Sequence, residues 1–210
     1  MSHQADALLQ NEADNWQPNS IVLVELSSTD NSILKQGLED FGFTILSQLQ
    51  DTQHLSSNVT LHLPDVLVLA IDYPDMATIE QLKRINDTHP LPIVMFSEYD
   101  MPNFIQRTIK AGVSAFIVDE IQPQRLKSII NVAYFRFIEY QNLKNELCKT
   151  REELANRKIL ERAKGLLMQQ KQLNEADAYK LMRKMAMDKG IPIATVAGQI
   201  IDVFSLLNEY

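Results

Sequence analysis

The stretch PDVLVLAIDYPD, residues 64–75, decides how the first half of this chain folds. Residues 66–71 are apolar without a break, and prolines and aspartates bound them on both sides. A strand with one wet face alternates apolar and polar residues; an unbroken run belongs to a strand covered on both faces. Working outward, runs of the same kind recur at 21–24, 92–96 and 115–118, and Phe43-Thr44-Ile45-Leu46 reads as a further strand. Between them, helical spacing appears at 30–41 (Ile33, Leu34, Leu38 and Phe41, stopped by Gly42), at 77–86, and at 103–111 before Gly112. Strands buried on both faces that alternate with helices imply a parallel sheet between two helical layers.

Five such strands in about 100 residues predict a doubly wound, flavodoxin-like five-stranded parallel sheet over residues 20–122. Residues 1–19 are polar and aperiodic and read as a flexible tail, with Trp16 free to dock on the first domain or on a partner. A chain of 210 residues, 45% hydrophobic, fits one large or two small domains. No apolar run is long enough to span a membrane, and the N-terminus lacks the pattern of an export signal. The single cysteine, Cys148, makes no internal disulfide, which fits a reducing cytoplasm. His3, His54, His62 and His89 are scattered, so neither metal nor cofactor is expected. No glycine-rich phosphate loop or nucleophile–base motif appears, and the chain does not read as an enzyme.

The net charge of -7 argues against nucleic acid until it is divided along the chain. Residues 1–148 carry 9 Lys and Arg against 19 Asp and Glu, whereas 157–189 carry 9 against 4, a local balance of +5. Phosphates respond to charge within a Debye length of ~8–10 Å, so the local balance is the relevant one. Charge alone is equally the mark of a solvated helix face.

In a doubly wound sheet, function gathers at the C-terminal ends of the strands. Together with 64–75, the runs LPIVMFSE (91–98) and AGVSAFIVDE (111–120) resemble a response-regulator receiver domain in order and spacing. The resemblance implies an acceptor carboxylate after the third strand, an acidic pair after the first for magnesium, and a lysine after the fifth. Here those positions hold Ala70, Glu25 followed by Leu26, and Asp119, and only Ser97 matches. A methyl group forms no acylphosphate, and one carboxylate is a poor magnesium site. Asp72 lies two residues past Ala70, ~6.5 Å further along a strand, where it reads as a loop cap or a solvent-facing residue. The expectation is a pseudo-receiver that signals by protein contact.

Residues 124–170 lack proline and are rich in helix formers, which predicts a rod of ~65–70 Å. Leu126, Ile130, Ala133, Phe137, Tyr140, Leu147 and Leu154 follow steps of three, four or seven, with Lys144 and Arg151 interrupting, as in a coiled coil that joins a parallel homodimer. The alternative is a helix folded back on its own domains, its aromatic first part (Tyr134, Phe135, Phe137) packing on the sheet. The organisation expected is a tail at 1–19, a receiver-like domain at 20–122, a long helix at 123–156 and an all-α domain at 157–210.

That last domain reads as a three-helix bundle over 157–170, 175–189 and 193–207, with Asn174 as an N-cap and Gly190 as a stop. The first helix sets Arg157, Lys158, Arg162 and Lys164 against an apolar arc; the second sets Lys180, Arg183 and Lys184 against another. The third, built on Val196, Ala197, Ile200, Val203, Phe204 and Leu207, has no basic residue. Met168, Met182, Met185 and Met187 read as core filler. Tyr179 either stacks on a base or completes the core.

The run ERAKGLLMQQKQLNEADAYKLMRKMAMDKGIPIATVAGQII (161–201) resembles the ANTAR RNA-binding domain. Its marks are Ala163-Lys164-Gly165, Leu167-Met168, Glu175, Ala178-Tyr179, Arg183, Ala186-Met187 and Val196-Ala197. Receiver, long helix and ANTAR domain in that order resemble the AmiR/NasT group of antiterminators. The resemblance implies binding to tandem hairpins in nascent mRNA leaders, prevention of an overlapping terminator, targets in nitrogen metabolism, and control by a ligand-sensing protein partner. Gly165 and Tyr179 join the cations as expected RNA-binding residues. Two other readings compete. A DNA-binding output needs polar residues at the start of a recognition helix, which IPIATVAGQIIDVF (191–204) lacks. An adaptor that works through the coiled coil leaves the basic segment unexplained.

Overall fold

The computed structural model describes residues 18–26, 31–118 and 122–207. Trp16 and Asp119 lie outside the described residues. Five strands form one parallel sheet: β1 (Ser20–Glu25), β2 (Thr44–Leu49), β3 (Val66–Ala70), β4 (Ile93–Phe96) and β5 (Ala115–Ile117), in the order β2-β1-β3-β4-β5. Helices α1 (Asn31–Asp40), α2 (Leu55–His62), α3 (Met76–Thr88) and α4 (Pro102–Lys110) connect them. The order reverses direction at β1, which is the flavodoxin-like arrangement expected. A 3-10 turn, Pro123–Arg125, leads into α5 (Leu126–Lys171), followed by α6 (Glu175–Lys189) and α7 (Ile193–Leu207).

The apolar runs build two cores because successive side chains leave a strand on opposite faces. Ile21 and Leu23 of β1, Val66 and Val68 of β3, and Val94 and Phe96 of β4 enter one core. Val22 and Val24, Leu67 and Leu69, and Ile93 and Met95 enter the other, which α2 and α3 cover through Leu55, Val59, Ile79, Leu82 and Ile85. Gly42 and Gly112 sit at φ +84° and +109°, where a side chain is strained, and so stop α1 and α4 as expected.

The sequence pattern misses α2. Only Leu55 and Val59 are buried on this eight-residue helix, its N-cap His54 makes no side-chain capping bond, and the rest is Ser, Asn and Thr with an exposed Leu61 and a terminal His62. One apolar pair four residues apart is too little periodicity to mark a helix.

The chain divides into two compact units between Tyr140 and Gln141. In the first unit, α1 and the opening turns of α5 cover the second face of the sheet. Leu126, Ile130 and Ala133 are fully buried there beside Leu34 and Leu38. The placement of Ile130 in a dimer seam is therefore corrected: its side chain belongs to the sheet's own core. Phe137 is half-buried, whereas Tyr140, Leu143, Leu147 and Leu154 are 50–60% exposed. Leu143, three residues after Tyr140, stands on the exposed stripe where the sequence reading followed the four-residue step to Lys144.

In the second unit, the last turns of α5 pack with α6 and α7 as a three-helix bundle around Ala163, Leu167, Ala178, Met182, Val196, Ala197 and Ile200. Gln172, at φ +50°, ends α5. Asn174 caps α6, its Oδ1 accepting the Asp177 N–H at 2.9 Å, and Gly190 closes that helix at φ +64°. Three residues read as core lie further out. Met168 is 39% exposed, Met187 72% and Val203 55%, because each sits past the edge of its helix's buried arc. The side chain of Leu207 is outside the described residues.

Candidate functional site

The C-terminal ends of β1, β3 and β4 form the pocket in which a receiver does its chemistry. Strand register sets Ala70 between Glu25 of β1 and Phe96 of β4. Its methyl group is 2% exposed and belongs to the apolar core, so the acceptor position is a hydrophobic plug. Glu25 is 4% exposed; one carboxylate oxygen accepts a hydrogen bond from Gln48 Nε2 of β2, and the other, Oε1, has no hydrogen-bond partner among the described residues. Burial raises the Glu25 carboxyl above its ordinary value, against the opposing effects of the Gln48 bond and the Lys35 charge. Leu26 is partly exposed and contributes no oxygen to the pocket.

Ser97 is buried, and its hydroxyl is committed to the loops. It donates to the Asp72 carbonyl at 2.9 Å and accepts the Tyr99 N–H at 3.1 Å. Asp72 is buried too, so the solvent-facing reading of that residue is corrected: past the end of β3 its backbone carbonyl is held by the Ser97 hydroxyl that follows β4. No group of three or more His, Cys, Asp or Glu among the described residues is arranged to hold a metal ion.

The second unit carries the cations. On α5, Lys158, Arg162 and Gly165 follow at steps of four and three along one side, and all three are exposed. Arg157 is exposed as well, but 3.6-residue geometry puts it on the opposite flank, together with Lys164. The basic arc expected from the sequence is thus split into two flanks. On α6, Lys180, Arg183 and Lys184 are exposed, and Tyr179 is 45% exposed beside Arg183. The core reading of Tyr179 is set aside. Lys180 has a carboxylate of Asp177 at 3.9 Å, an exposed pair of little energetic weight.

Lys164 requires the largest correction. Its Nζ lies 2.9 Å from Glu161 and 2.7 Å from Glu175, with only 12% of the side chain exposed. The bond it donates to Glu175, then that to Glu161, raises its pKa, and Lys164 in turn lowers that of Glu175. The ammonium ties α5 to the first turn of α6 instead of facing open solvent. Lys164→Ala is expected to lower the melting temperature of the C-terminal unit and to leave the salt dependence of RNA binding unchanged, as read by circular dichroism and by fluorescence anisotropy. Sequence shows the charge at 164 but not Glu175 across the turn, eleven residues away.

Gly165 is a signal of a different kind. It is an exposed glycine inside a long helix, and a Cβ built on it meets nothing within 4 Å. Glycine in a helix interior costs roughly 0.5–1 kcal/mol against alanine. Neither the backbone conformation nor the packing of this chain calls for it.

The comparisons with known proteins agree with both halves. Residues 21–131 match the family model of the response regulator receiver domain, and residues 149–201 match that of the ANTAR domain. The chain is 28% identical to the transcriptional regulatory protein PdtaR of Mycobacterium tuberculosis over 191 residues, covering 91% of this chain and 93% of that one. It is 35% identical over 68 residues to the nitrate regulatory protein of Klebsiella oxytoca, which covers 32% of this chain and 17% of that protein. Among solved structures, the signal receiver domain of a modulated diguanylate cyclase from Desulfovibrio desulfuricans covers 59% of this chain and 99% of its own, with a TM-score of 0.52 at 16% identity. That likeness concerns the fold alone.

Proposed function

Because this chain belongs to the response-regulator receiver family and also carries an ANTAR domain, we propose that it is a transcription antitermination regulator. It binds tandem hairpins in nascent mRNA leaders through the C-terminal unit and so keeps an overlapping terminator from forming. Contact with a ligand-sensing partner protein, not phosphorylation, controls it.

The observation that carries this reading is the pairing of an ANTAR match over 149–201 with exposed Lys158, Arg162, Arg183 and Lys184 on two helices of that same unit. An RNA hairpin offers phosphates along its stem and unstacked bases in its loop. Lysine answers the phosphates as a point charge, and arginine can also fork to or stack on a base. Tyr179, 45% exposed one turn from Arg183, provides an aromatic face on which a loop base can stack. Two hairpins call for two such surfaces. The exposed stripe of Tyr140, Leu143, Leu147 and Leu154 supports a parallel homodimer, in which binding of the second hairpin becomes intramolecular. A DNA-binding output is less well supported, since α7 carries no basic residue and its first turns bury Val196 and Ala197. No helix among the described residues is long and apolar enough to cross a membrane.

Two experiments test the two halves of the proposal. Acetyl phosphate with magnesium is expected to leave the intact protein unmodified, because Ala70 offers a methyl group where an acceptor would stand; a phosphoaspartate found by intact-mass and peptide analysis would contradict contact-only control. Gly165→Ala is expected to stabilise the C-terminal unit by about 0.5–1 kcal/mol. The same change is expected to weaken binding of a two-hairpin leader RNA, since the open glycine admits a close approach of the ligand. Stabilisation with full affinity would remove Gly165 from the interface.

A further inference from the structure

At the end of the sheet opposite Glu25 and Ala70, the C-terminal ends of α2 and α3 border two adjoining hollows. One, of about 310 Å³, is apolar and lined by Val59, Leu63, Pro64, Pro90 and Leu91. The other is an open trough of about 650 Å³ with Ser56, Ser57, Thr60 and Arg84 on its walls. Thr88 and His89 line both, so the two hollows form one groove with an apolar and a polar end. Their sizes fall within the ~300–1,000 Å³ of ordinary ligand sites.

Three features set this groove apart from a chance dent. The Arg84 guanidinium is exposed and has no acidic partner among the described residues, although acids outnumber bases 19 to 9 over residues 1–148. Thr60 Oγ1 and His89 Nδ1 meet at 3.4 Å and join α2 to the residue after α3. Leu63 closes α2 at φ +45°, ψ +56°, a left-handed conformation that comes at a steric cost for a residue with a side chain. Glycine would close the helix without that cost. The leucine instead stands 66% exposed on the wall of the apolar hollow, with Leu61, 76% exposed, on the wall of the trough. An exposed apolar residue in a strained conformation on one hollow and a guanidinium without a partner on the adjoining one are what a ligand with an apolar and an acidic group would use.

We propose that this groove docks an extended segment of a partner protein in which a large apolar side chain is followed by a carboxylate. The apolar side chain fills the hollow between Leu63 and Leu91, and the carboxylate takes the two-pronged bond that an unpaired arginine offers. The proposal rests on the reading that control comes through protein contact, and it moves that contact to the opposite end of the sheet from the vacant phosphorylation chemistry.

The test is an amide chemical-shift titration of the full-length protein with the peptide acetyl-Ser-Phe-Glu-Ser-amide. Saturable shifts are expected at Leu63, Thr88 and His89. The affinity should fall by about tenfold or more with Arg84→Glu, and likewise when glutamine replaces the peptide's glutamate or alanine its phenylalanine, a change worth about 1.4 kcal/mol per factor of ten. Absent shifts, shifts centred elsewhere, or an affinity unmoved by Arg84→Glu would overturn the proposal. The Arg84→Glu protein is also expected to bind leader RNA with unchanged affinity, and a weakened RNA complex would equally overturn it by placing the groove in the RNA site. Failure of the wild-type protein to bind RNA would strike the antitermination reading and leave the peptide result standing.

Discussion

A chain in which Lys158, Arg162, Arg183 and Lys184 are all alanine is expected to bind a two-hairpin leader RNA on the order of a hundredfold more weakly at moderate salt, with its melting temperature little changed. All four side chains are exposed, and none forms an ion pair among the described residues, so their removal costs the bundle little. Each cation that neutralises a phosphate releases condensed counterions, and its loss removes ~0.7–0.9 from the slope of log affinity against log salt. Four such losses flatten the slope by roughly three. Anisotropy titrations at several salt concentrations read both quantities. An affinity that drops with no change in slope would mean that the four side chains act through the fold and not through phosphates.

The second large effect concerns stability. Ile130→Ala is expected to destabilise the N-terminal unit by ~2–5 kcal/mol, the usual cost of emptying a filled core site. Since whole domains are stable by only about 5–15 kcal/mol, the loss shows as an early melting transition. Ile130 is fully buried between the sheet and α1, so the cavity opens inside a single protomer. Leu154→Ala, at a site 54% exposed, is expected to leave that transition in place and to weaken the proposed dimer in sedimentation experiments. The opposite pattern, a dissociated but fully stable Ile130→Ala protein, would return Ile130 to the seam.

The contrast between these two residues shows where sequence stops being informative. Ile130 and Leu154 both sit at apolar steps along one uninterrupted helix, and periodicity says that each needs cover without saying what supplies it. Four strands were legible because residues 66–71 and their counterparts in β1, β4 and β5 are apolar throughout, as a doubly covered strand requires; β2, with Thr44, Ser47 and Gln48 among its residues and no residue fully buried at the edge of the sheet, showed only through Phe43, Ile45 and Leu46. Helix α2 was not legible, because its burial rests on Leu55 and Val59 alone. At the candidate site, the charges on α5 and α6 were plain from composition and spacing. The capture of Lys164 by Glu161 and Glu175 was not, since the second partner lies across a turn whose path only the folded chain defines. The alanine in place of a carboxylate at position 70 could be read directly, because a missing functional group needs no geometry to establish it. The groove beside Arg84 left no sequence signature, for it depends on a leucine held in a left-handed backbone conformation.

The RNA-binding claim is tested most directly by titrating the full-length protein with a leader RNA that carries two short hairpins ahead of a terminator, in parallel with duplex DNA of the same sequence. The account predicts tight, salt-sensitive binding to the RNA and only weak, nonspecific binding to the DNA. Equal affinity for the two, or no preference for the hairpin RNA over an unstructured strand, would contradict it.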